Sequence, residues 1–151
     1  MKRSERVTKA VVLAAGKGVR LWPLTEHRSK HMIPIAGTPV IGHVVSAMKS
    51  SGIRSLLVVT GYEEKLIRNY LGDGTKWRVK IEYVHQPDVT GTASALSMTR
   101  EQVADGGFLA VYGDLVLTPA AIRRVLDTYR RKRGKATVGL APVSRPESYG
   151  M

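Results

Sequence analysis

The sequence predicts an α/β fold of the Rossmann-like class, in which helices cover both faces of an open, mostly parallel sheet. Two nearly continuous apolar runs, 10–15 and Ser55–Thr60, are typical of strands buried on both faces. Segments with helical spacing of apolar residues alternate with such strands, which indicates crossover connections between parallel neighbours. Because no internal repeat or linker interrupts this pattern, we expect residues 1–151 to form a single domain.

The first half of the chain supplies two strands and two helices. Strand 10–15 passes directly into a glycine-containing turn. Apolar residues at helical spacing then predict a helix over 39–51, and Gly52 is a natural stop. After the Ser55–Thr60 strand, we expect a short helix over 63–71 that ends at the glycines following it.

The second half begins with an alternating apolar and polar segment, 79–85, which predicts a half-buried strand. We expect Thr92 to cap a helix that runs to about Val103. The apolar segment 108–112 predicts the next strand.

The last predicted elements are a helix and a strand. Thr118 and Pro119 have the residue types of an N-cap and a first helical position. Gly134 is expected to close that helix, and 136–143 predicts a final strand.

Composition limits the class of protein. Hydrophobic residues make up 43% of the chain, which indicates a folded protein rather than a disordered one. The absence of cysteine excludes disulfides and thiolate metal sites. The run 10–15 is too short for a secretory signal or a membrane span, so we expect a soluble, cytoplasmic protein without a membrane partner.

The formal net charge is +12, which favours anionic ligands such as nucleotide phosphates or nucleic acid. The cations do not form one stripe: part lie in the amino-terminal tail and part in 130–135, where they suit the carboxyl end of a helix. Aromatic residues are not interleaved with them as in single-strand binders. The pattern favours a solvated helix end over a nucleic-acid partner.

The turn after the first strand, Gly16-Lys17-Gly18-Val19-Arg20, has the composition of a phosphate-binding loop. Glycines let a ligand approach the main chain, and successive backbone N–H groups can form an anion-binding nest. The dinucleotide fingerprint fails because residue 21 is leucine, and the Walker A pattern is absent. Spacing alone therefore leaves a phosphate loop and a plain structural turn equally open.

Three polar segments follow predicted strands. Gly16 follows the first strand, Gln86 the third, and Gly113-Asp114 the fourth. Ligands of open parallel sheets bind beyond the carboxyl ends of the strands. We therefore expect these three segments to meet on one rim.

A longer ordered motif resembles the signature of sugar-1-phosphate nucleotidyltransferases, the NDP-sugar pyrophosphorylases. It consists of Leu13-Ala-Ala-Gly-Lys-Gly-Val-Arg-Leu-Trp-Pro-Leu-Thr25, then Lys30 and Pro34-Ile-Ala-Gly-Thr-Pro39. The resemblance implies the nucleotide-diphospho-sugar transferase fold, truncated, because the family's catalytic domain continues past this length. We therefore expect the domain to be incomplete at its carboxyl end.

The chain departs from the family pattern at two positions. Val19 stands where the family usually has Thr or Ser, which implies a lost hydroxyl contact to phosphate. Ser29 stands where Pro usually precedes the lysine, and we expect a looser loop around Lys30.

The segment Gln86-Pro-Asp-Val-Thr-Gly-Thr92 resembles the family's base-reading segment. A glutamine amide offers a donor and an acceptor, as a pyrimidine edge does. The resemblance therefore implies a uridine or thymidine nucleotide.

The resemblance also implies roles for individual residues. Arg20 and Lys30 would be catalytic, acting on the departing pyrophosphate and on the phosphates; Asp114 would hold Mg²⁺, and Gly150 would contact the sugar. The implied nucleotide-binding residues are Leu13, Ala14, Ala15, Gly16, Gly18, Lys30, Gln86, Gly91, Thr92, Tyr112 and Gly113.

The implied reaction transfers a nucleotidyl group from UTP or dTTP to a sugar-1-phosphate, giving an NDP-sugar and pyrophosphate. Two alternatives stay open: a non-catalytic nucleotide-binding or regulatory module, and a basic nucleic-acid-binding protein. A sheet that is cut short should expose an unpaired edge, so we also expect self-association.

Overall fold

The computed structural model describes residues 6–88, 91–104, 106–132 and 134–145. Within them the strands are β1 Lys9–Ala14, β2 Pro34–Ile35, β3 Thr38–Pro39, β4 Ser55–Thr60, β5 Lys80–His85 and β6 Leu109–Tyr112. The α-helices are α1 Val40–Ser50, α2 Glu64–Leu71, α3 Thr92–Ser97, α4 Arg100–Val103 and α5 Pro119–Lys132.

The main sheet has four strands in the order β5-β4-β1-β6, and every neighbouring pair is parallel. The register sets Ala14 beside Thr60, Thr60 beside His85, and Leu13 beside Tyr112. All four carboxyl ends therefore lie along one edge of the sheet, as the sequence predicted.

Helices cover both faces of this sheet. On one face, buried residues of α1, α2 and α5 pack against alternate residues of the strands, such as Ala10 and Val12. On the other face, Ala95 of α3 and Val103 of α4 pack against Val11 and its neighbours. The predicted doubly covered sheet is confirmed.

Local signals fixed several helix ends. Gly52 adopts φ 91° just after α1, a left-handed angle that favours glycine. At the start of α5, the Thr118 hydroxyl accepts a hydrogen bond from the Ala121 N–H at 3.2 Å, and Pro119 is the first helical residue.

The single helix predicted over 92–103 is wrong, because the segment forms two short helices. Thr99 breaks it: its N–H and its hydroxyl both donate to the carbonyl oxygen of Leu96, at 3.0 and 2.7 Å. A threonine side chain can compete for helix backbone groups in this way. Thr92 is not the N-cap; it is the first helical residue, and Gly91 precedes it at φ 112°.

The strand predicted over 136–143 is also wrong. The segment has no regular structure, and Leu140 and Val138 are 91% and 76% exposed. Apolar alternation indicates that a strand could bury one face, but a strand also needs a hydrogen-bonding neighbour. Among the described residues, none pairs with this segment.

Several irregular elements carry no clear sequence signal. β2 and β3 pair antiparallel and form a two-stranded hairpin. Short 3-10 turns cover Val19–Leu21, Lys30–Met32 and Thr75–Trp77. The Trp22–Pro23 peptide bond is cis. In the described part of the chain, no helix has the length and apolar character needed to cross a membrane.

Candidate functional site

The glycine loop after β1 is held in a defined shape. Gly18 adopts φ 70° and precedes the 3-10 turn Val19–Leu21. The Thr25 hydroxyl donates to the Gly18 carbonyl oxygen at 3.0 Å. The Tyr62 hydroxyl donates to the carbonyl oxygen of Glu26 at 2.6 Å. Thr25 thus braces the loop from within, and Tyr62 braces it from the carboxyl end of β4.

Lys30 lies along this loop. A Cβ atom added to Gly18 would come within 2.8 Å of Lys30 Cβ, and one added to Gly16 would lie 3.6 Å from Lys30 Cε. At its far end, Lys30 Nζ is 2.5 Å from Oδ2 of Asp114, just beyond β6. The lysine therefore spans from the glycine loop after β1 to the end of the neighbouring strand.

Asp114 is ionised in this arrangement. Burial acts to raise the pKa of its carboxyl group, but the hydrogen bond from Lys30, the charge of Lys30 and, where its ring is protonated, the charge of His31 outweigh burial. The net pKa lies below the ordinary value. At neutral pH the edge therefore presents a carboxylate paired with an ammonium group.

Two buried polar residues flank Lys30 in the chain. Ser29 is 0% exposed and His31 is 1% exposed, and Ser29 Oγ lies 2.7 Å from His31 Nδ1. Burial and the charge of Lys30 lower the pKa of His31 to about 4, against an opposing effect of Asp114. Its imidazole is therefore neutral at pH 7. Ser29 contacts His31 on its buried side, and the looser loop expected from the sequence stays a prediction.

Gln86 follows β5 on the same edge. Its N–H donates to the Thr60 carbonyl oxygen at 2.7 Å, and the residue is 2% exposed. Its side-chain Nε2 is buried and has no hydrogen-bond partner among the described residues. A Cβ atom added to Gly61 would come within 2.8 Å of the Ala15 carbonyl oxygen and 3.0 Å of that of Gln86. Gly61 therefore lets the end of β5 approach the start of the glycine loop.

A contact between Thr92 and Tyr112 places the start of α3 beside the carboxyl end of β6. Thr92 Oγ1 lies 3.3 Å from the hydroxyl of Tyr112, the last residue of β6. The Gly113 N–H donates to the carbonyl oxygen of Leu13 at 2.8 Å, which continues the parallel pairing past the strand end.

The three segments predicted to share a rim do share it. Gly16, Gln86 and Gly113-Asp114 all follow strands whose carboxyl ends are in register. Arg20 is exposed on its 3-10 turn and forms no ion pair within the described ranges. The predicted sugar contact, Gly150, lies outside the described residues.

The donor set around Asp114 bears on metal binding. In the described ranges, no group of three His, Asp or Glu side chains is placed to hold an ion alone. Mg²⁺ commonly takes one or two carboxylates and completes its shell with phosphate oxygens and water. A single accessible carboxylate beside a phosphate-type loop fits that chemistry.

Sequence reasoning gave no bracing or positioning role to several residues that shape the site: Thr25, Ser29, His31, Gly61 and Tyr62. Gly61 had a usable signal, because it follows a strand end just as Gly16 and Gly113 do. The polar residues had none, since their types alone do not reveal burial.

The glycine loop and Asp114 lie at the topological switch point between β1 and β6, because β4 and β5 are added on one side of β1 and β6 on the other. Open parallel sheets bind ligands at such a point, so fold and site together define an open-sheet α/β protein with a candidate ligand site beyond its strand ends. The chain belongs to the nucleotidyl transferase family, whose model matches residues 9–151.

Individual relatives agree with this assignment. The chain is 34% identical over 144 residues to the glucose-1-phosphate thymidylyltransferase of Xanthomonas campestris pv. campestris (strain B100), covering 95% of this chain and 49% of the relative. It is 33% identical over 141 residues to the mannose-1-phosphate guanylyltransferase of Mycobacterium tuberculosis, covering 93% and 39%.

A solved structure from Bacillus anthracis, assigned as a glucose-1-phosphate thymidylyltransferase, superimposes with a TM-score of 0.77 at 28% identity. The match covers 83% of this chain and 51% of that one. The chain thus spans about half the length, or less, of these relatives.

Proposed function

We propose that this chain forms the nucleotide-binding part of a sugar-1-phosphate nucleotidyltransferase that uses UTP or dTTP. The observation that carries the proposal is the Lys30–Asp114 pair, 2.5 Å apart beside the glycine loop at the sheet edge. An ammonium group and a carboxylate there are suited to a triphosphate and its metal ion. The family membership over residues 9–151 supports the same conclusion.

In the proposed reaction, a phosphate oxygen of the sugar-1-phosphate attacks the α-phosphorus of the nucleoside triphosphate. A new P–O bond forms there, and the bond from the α-phosphorus to the bridging oxygen of pyrophosphate breaks. The attacking oxygen is already anionic, so no general base is needed. The protein must hold two anions in line and stabilise the charge between them.

Each cationic group has a proposed task. Arg20, exposed and without an ion pair within the described ranges, would bind the departing pyrophosphate. Lys30 would bind the phosphates, and the backbone N–H groups of the Gly16–Gly18 turn would do the same. Asp114 would hold Mg²⁺, which supplies charge neutralisation for the phosphates when bound.

The base contact is proposed for Gln86, with Gly91 and Thr92 beside it. An amide that is 2% exposed with an unpartnered Nε2 costs stability unless a ligand supplies a hydrogen bond. A pyrimidine edge offers both an acceptor and a donor to such an amide. Among the relatives, a thymidylyltransferase and a guanylyltransferase both occur, so base choice is a specific point to test.

The decisive experiment is a calorimetric titration of the full chain with UTP, dTTP, CTP, ATP and GTP, with and without Mg²⁺. We expect UTP or dTTP to bind most tightly, and Lys30→Met to weaken binding. Lys65→Met, on the exposed surface of α2, is the matched control. Equal binding of all five nucleotides, or no effect of Lys30→Met, would contradict the proposal.

Turnover is a separate question, because the relatives are about twice as long. Release of pyrophosphate with glucose-1-phosphate or N-acetylglucosamine-1-phosphate measures it directly. We propose that the chain binds nucleotide and turns over poorly alone. Robust turnover would show that this part of the fold suffices.

Self-association is proposed from the outer strand of the sheet, β6. In the described residues, β6 has a strand neighbour on one side only, and Phe108 and Tyr112, just before β6 and at its end, are 38% and 52% exposed. Sedimentation at several concentrations tests this, and a monomer at all of them would contradict it.

A further inference from the structure

Ser29 and His31 form a buried polar pair on either side of Lys30. Ser29 Oγ accepts the His31 N–H at 3.4 Å and lies 2.7 Å from His31 Nδ1. The hydroxyl either donates to Nδ1 or accepts from it, according to the tautomer of the ring. In both cases the contact fixes the orientation of the imidazole.

The pair adjoins both segments that form the Lys30–Asp114 ion pair. His31 Cδ2 is 3.0 Å from the position of a Cβ atom added to Gly113, the residue before Asp114. The ring therefore packs against the end of β6, while its backbone belongs to the 3-10 turn that carries Lys30. His31 therefore links the segment that carries Lys30 to the segment that carries Asp114.

Burying a serine and a histidine in a small core costs free energy that apolar residues would not cost. Both are nearly inaccessible, and Ser29 Oγ and His31 Nδ1 are already engaged with each other rather than left for a ligand. Polar pairs of this kind gain their value from fixing one conformation. The residue that they fix in this case is Lys30.

We propose that Ser29 and His31 are positioning residues that hold Lys30 between the glycine loop and Asp114. The inference rests on the proposed role of Lys30 in phosphate binding. Ser29 has φ −62° and ψ 143°, an angle that proline would impose by its ring. The hydroxyl and the imidazole thus do by hydrogen bonding what a proline before the lysine would do covalently.

The first test uses Ser29→Ala and His31→Leu in the full chain. Each leaves a buried polar atom without its partner and frees the turn, so we expect UTP affinity to fall roughly tenfold. Lys30 should at the same time react several-fold faster with acetic anhydride, measured by peptide mass spectrometry relative to Lys65 in the same sample. A merely structural role would not change this ratio in a protein that stays folded.

The second test is rescue by the double variant Ser29→Pro/His31→Leu. It removes both polar partners together and restores the backbone angle through the proline ring. We expect its UTP affinity and its Lys30 reactivity to return to within about threefold of the native values. Thermal unfolding of every variant checks that it is folded.

Matched controls remove similar hydrogen bonds elsewhere. Ser51→Ala deletes a part-buried hydroxyl that donates to Ala47 at 2.7 Å, and His43→Gln deletes an imidazole 2.9 Å from the Ile35 carbonyl oxygen. If Ser29→Ala and His31→Leu match these controls in both measurements, the positioning role is overturned. If Lys30→Met leaves UTP binding unchanged, the proposed function fails. The acetylation ratio of Lys30 in Ser29→Ala and His31→Leu still decides the positioning role in that case.

Discussion

The ammonium group of Lys30 lies 2.5 Å from the carboxylate of Asp114, although one follows β1 and the other follows β6. Neither side chain is fully buried, with 26% and 37% of their areas exposed. Lys30 therefore pairs with the same carboxylate that we propose as a ligand of Mg²⁺. Metal ion and lysine must share Asp114 or compete for it.

Replacing Asp114 by Asn should reduce the dependence of UTP binding on Mg²⁺. The amide is a poor ligand for the ion, and it also releases Lys30 to bind phosphate. We expect Asp114→Asn to bind metal-free UTP at least as well as the native chain, and to lose at least about tenfold of the gain that Mg²⁺ provides. Titrations over a series of Mg²⁺ concentrations measure both effects.

Asp127→Asn is the control for that change, because its carboxylate pairs with Arg130 on α5 at 3.3 Å. It should behave like the native chain. Undiminished Mg²⁺ dependence in Asp114→Asn would place the ion elsewhere.

Alanine at the two loop glycines should separate folding from binding. At Gly18, φ is 70° and the new Cβ would lie 2.8 Å from Lys30 Cβ, so we expect Gly18→Ala to lose about 1–3 kcal/mol of unfolding free energy. At Gly16 the nearest atom is Lys30 Cε at 3.6 Å, an ordinary contact. Gly16→Ala should change stability by no more than about 0.5 kcal/mol.

Gly16→Ala should nevertheless weaken UTP binding, because its methyl group would point toward Lys30 Nζ at 3.8 Å, where phosphate must approach. Chemical denaturation and UTP titration of both variants test the distinction. Native affinity in Gly16→Ala would exclude this face of the loop as the phosphate site.

Gln86→Leu should stabilise the ligand-free protein while it abolishes base selectivity. The substitution removes a buried Nε2 that has no partner among the described residues, and we expect a gain of about 1 kcal/mol. The same change removes the donor and acceptor proposed for the pyrimidine. The unfolding free energy and the ratio of UTP to CTP affinity are the two measurements.

Gln102→Leu, on the exposed surface of α4, provides the comparison. It should alter neither quantity to the same extent. A loss of stability in Gln86→Leu with selectivity retained would show that Gln86 is an ordinary core amide.

Sequence reasoning located the sheet edge well because strand periodicity and parallel topology determine it together. Ser55–Thr60 was predicted with its observed bounds, and the segments after the strands met as expected. A parallel sheet leaves few arrangements for its carboxyl ends, so residues distant in sequence could be placed together before the structure was known.

The errors arose where a partner or a side-chain bond decides the conformation. Segment 136–143 has the pattern of a strand, but no strand of the described residues pairs with it. Thr99 broke the helix predicted over 92–103 through a hydrogen bond that propensity does not reveal. The contact of Ser29 with His31 had no sequence signal and became visible only in three dimensions.

Arg20→Ala should distinguish nucleotide binding from the rival nucleic-acid function. Arg20 is exposed and has no ion pair within the described ranges, so its loss should leave stability unchanged. Loss of one charged phosphate contact should weaken UTP binding roughly tenfold. Arg124→Ala, on the exposed side of α5, should have no such effect.

The same two variants should be titrated with single-stranded poly(U) at several salt concentrations. We expect weak binding that Arg20→Ala does not alter in either direction. Tight polynucleotide binding with steep salt dependence, combined with unchanged UTP affinity in Arg20→Ala, would favour the nucleic-acid function instead.

The free energy of unfolding should decrease as the pH is lowered from about 6.5 to 4, because of His31. Burial and the charge of Lys30 lower its pKa from 6.5 to about 4 in the folded protein, with Asp114 acting in the opposite direction. Above pH 6.5 the imidazole is neutral in both states, and its titration affects nothing. Between these values the unfolded chain binds a proton that the folded chain does not, so acid favours unfolding by up to roughly 3 kcal/mol.

His31→Leu removes the titrating group, so its unfolding free energy should depend less on pH across this window. The carboxyl groups of Asp114 and Glu64 have lowered pKa values in the folded protein, and their contributions are lost below about pH 4.5, outside most of the window. His43→Gln serves as the comparison, because it replaces a half-buried histidine bonded to Ile35 and leaves the Ser29–His31 pair intact. Urea unfolding at half-unit steps from pH 4 to 7 measures the slopes, and a native slope in His31→Leu would show that another group causes the acid sensitivity.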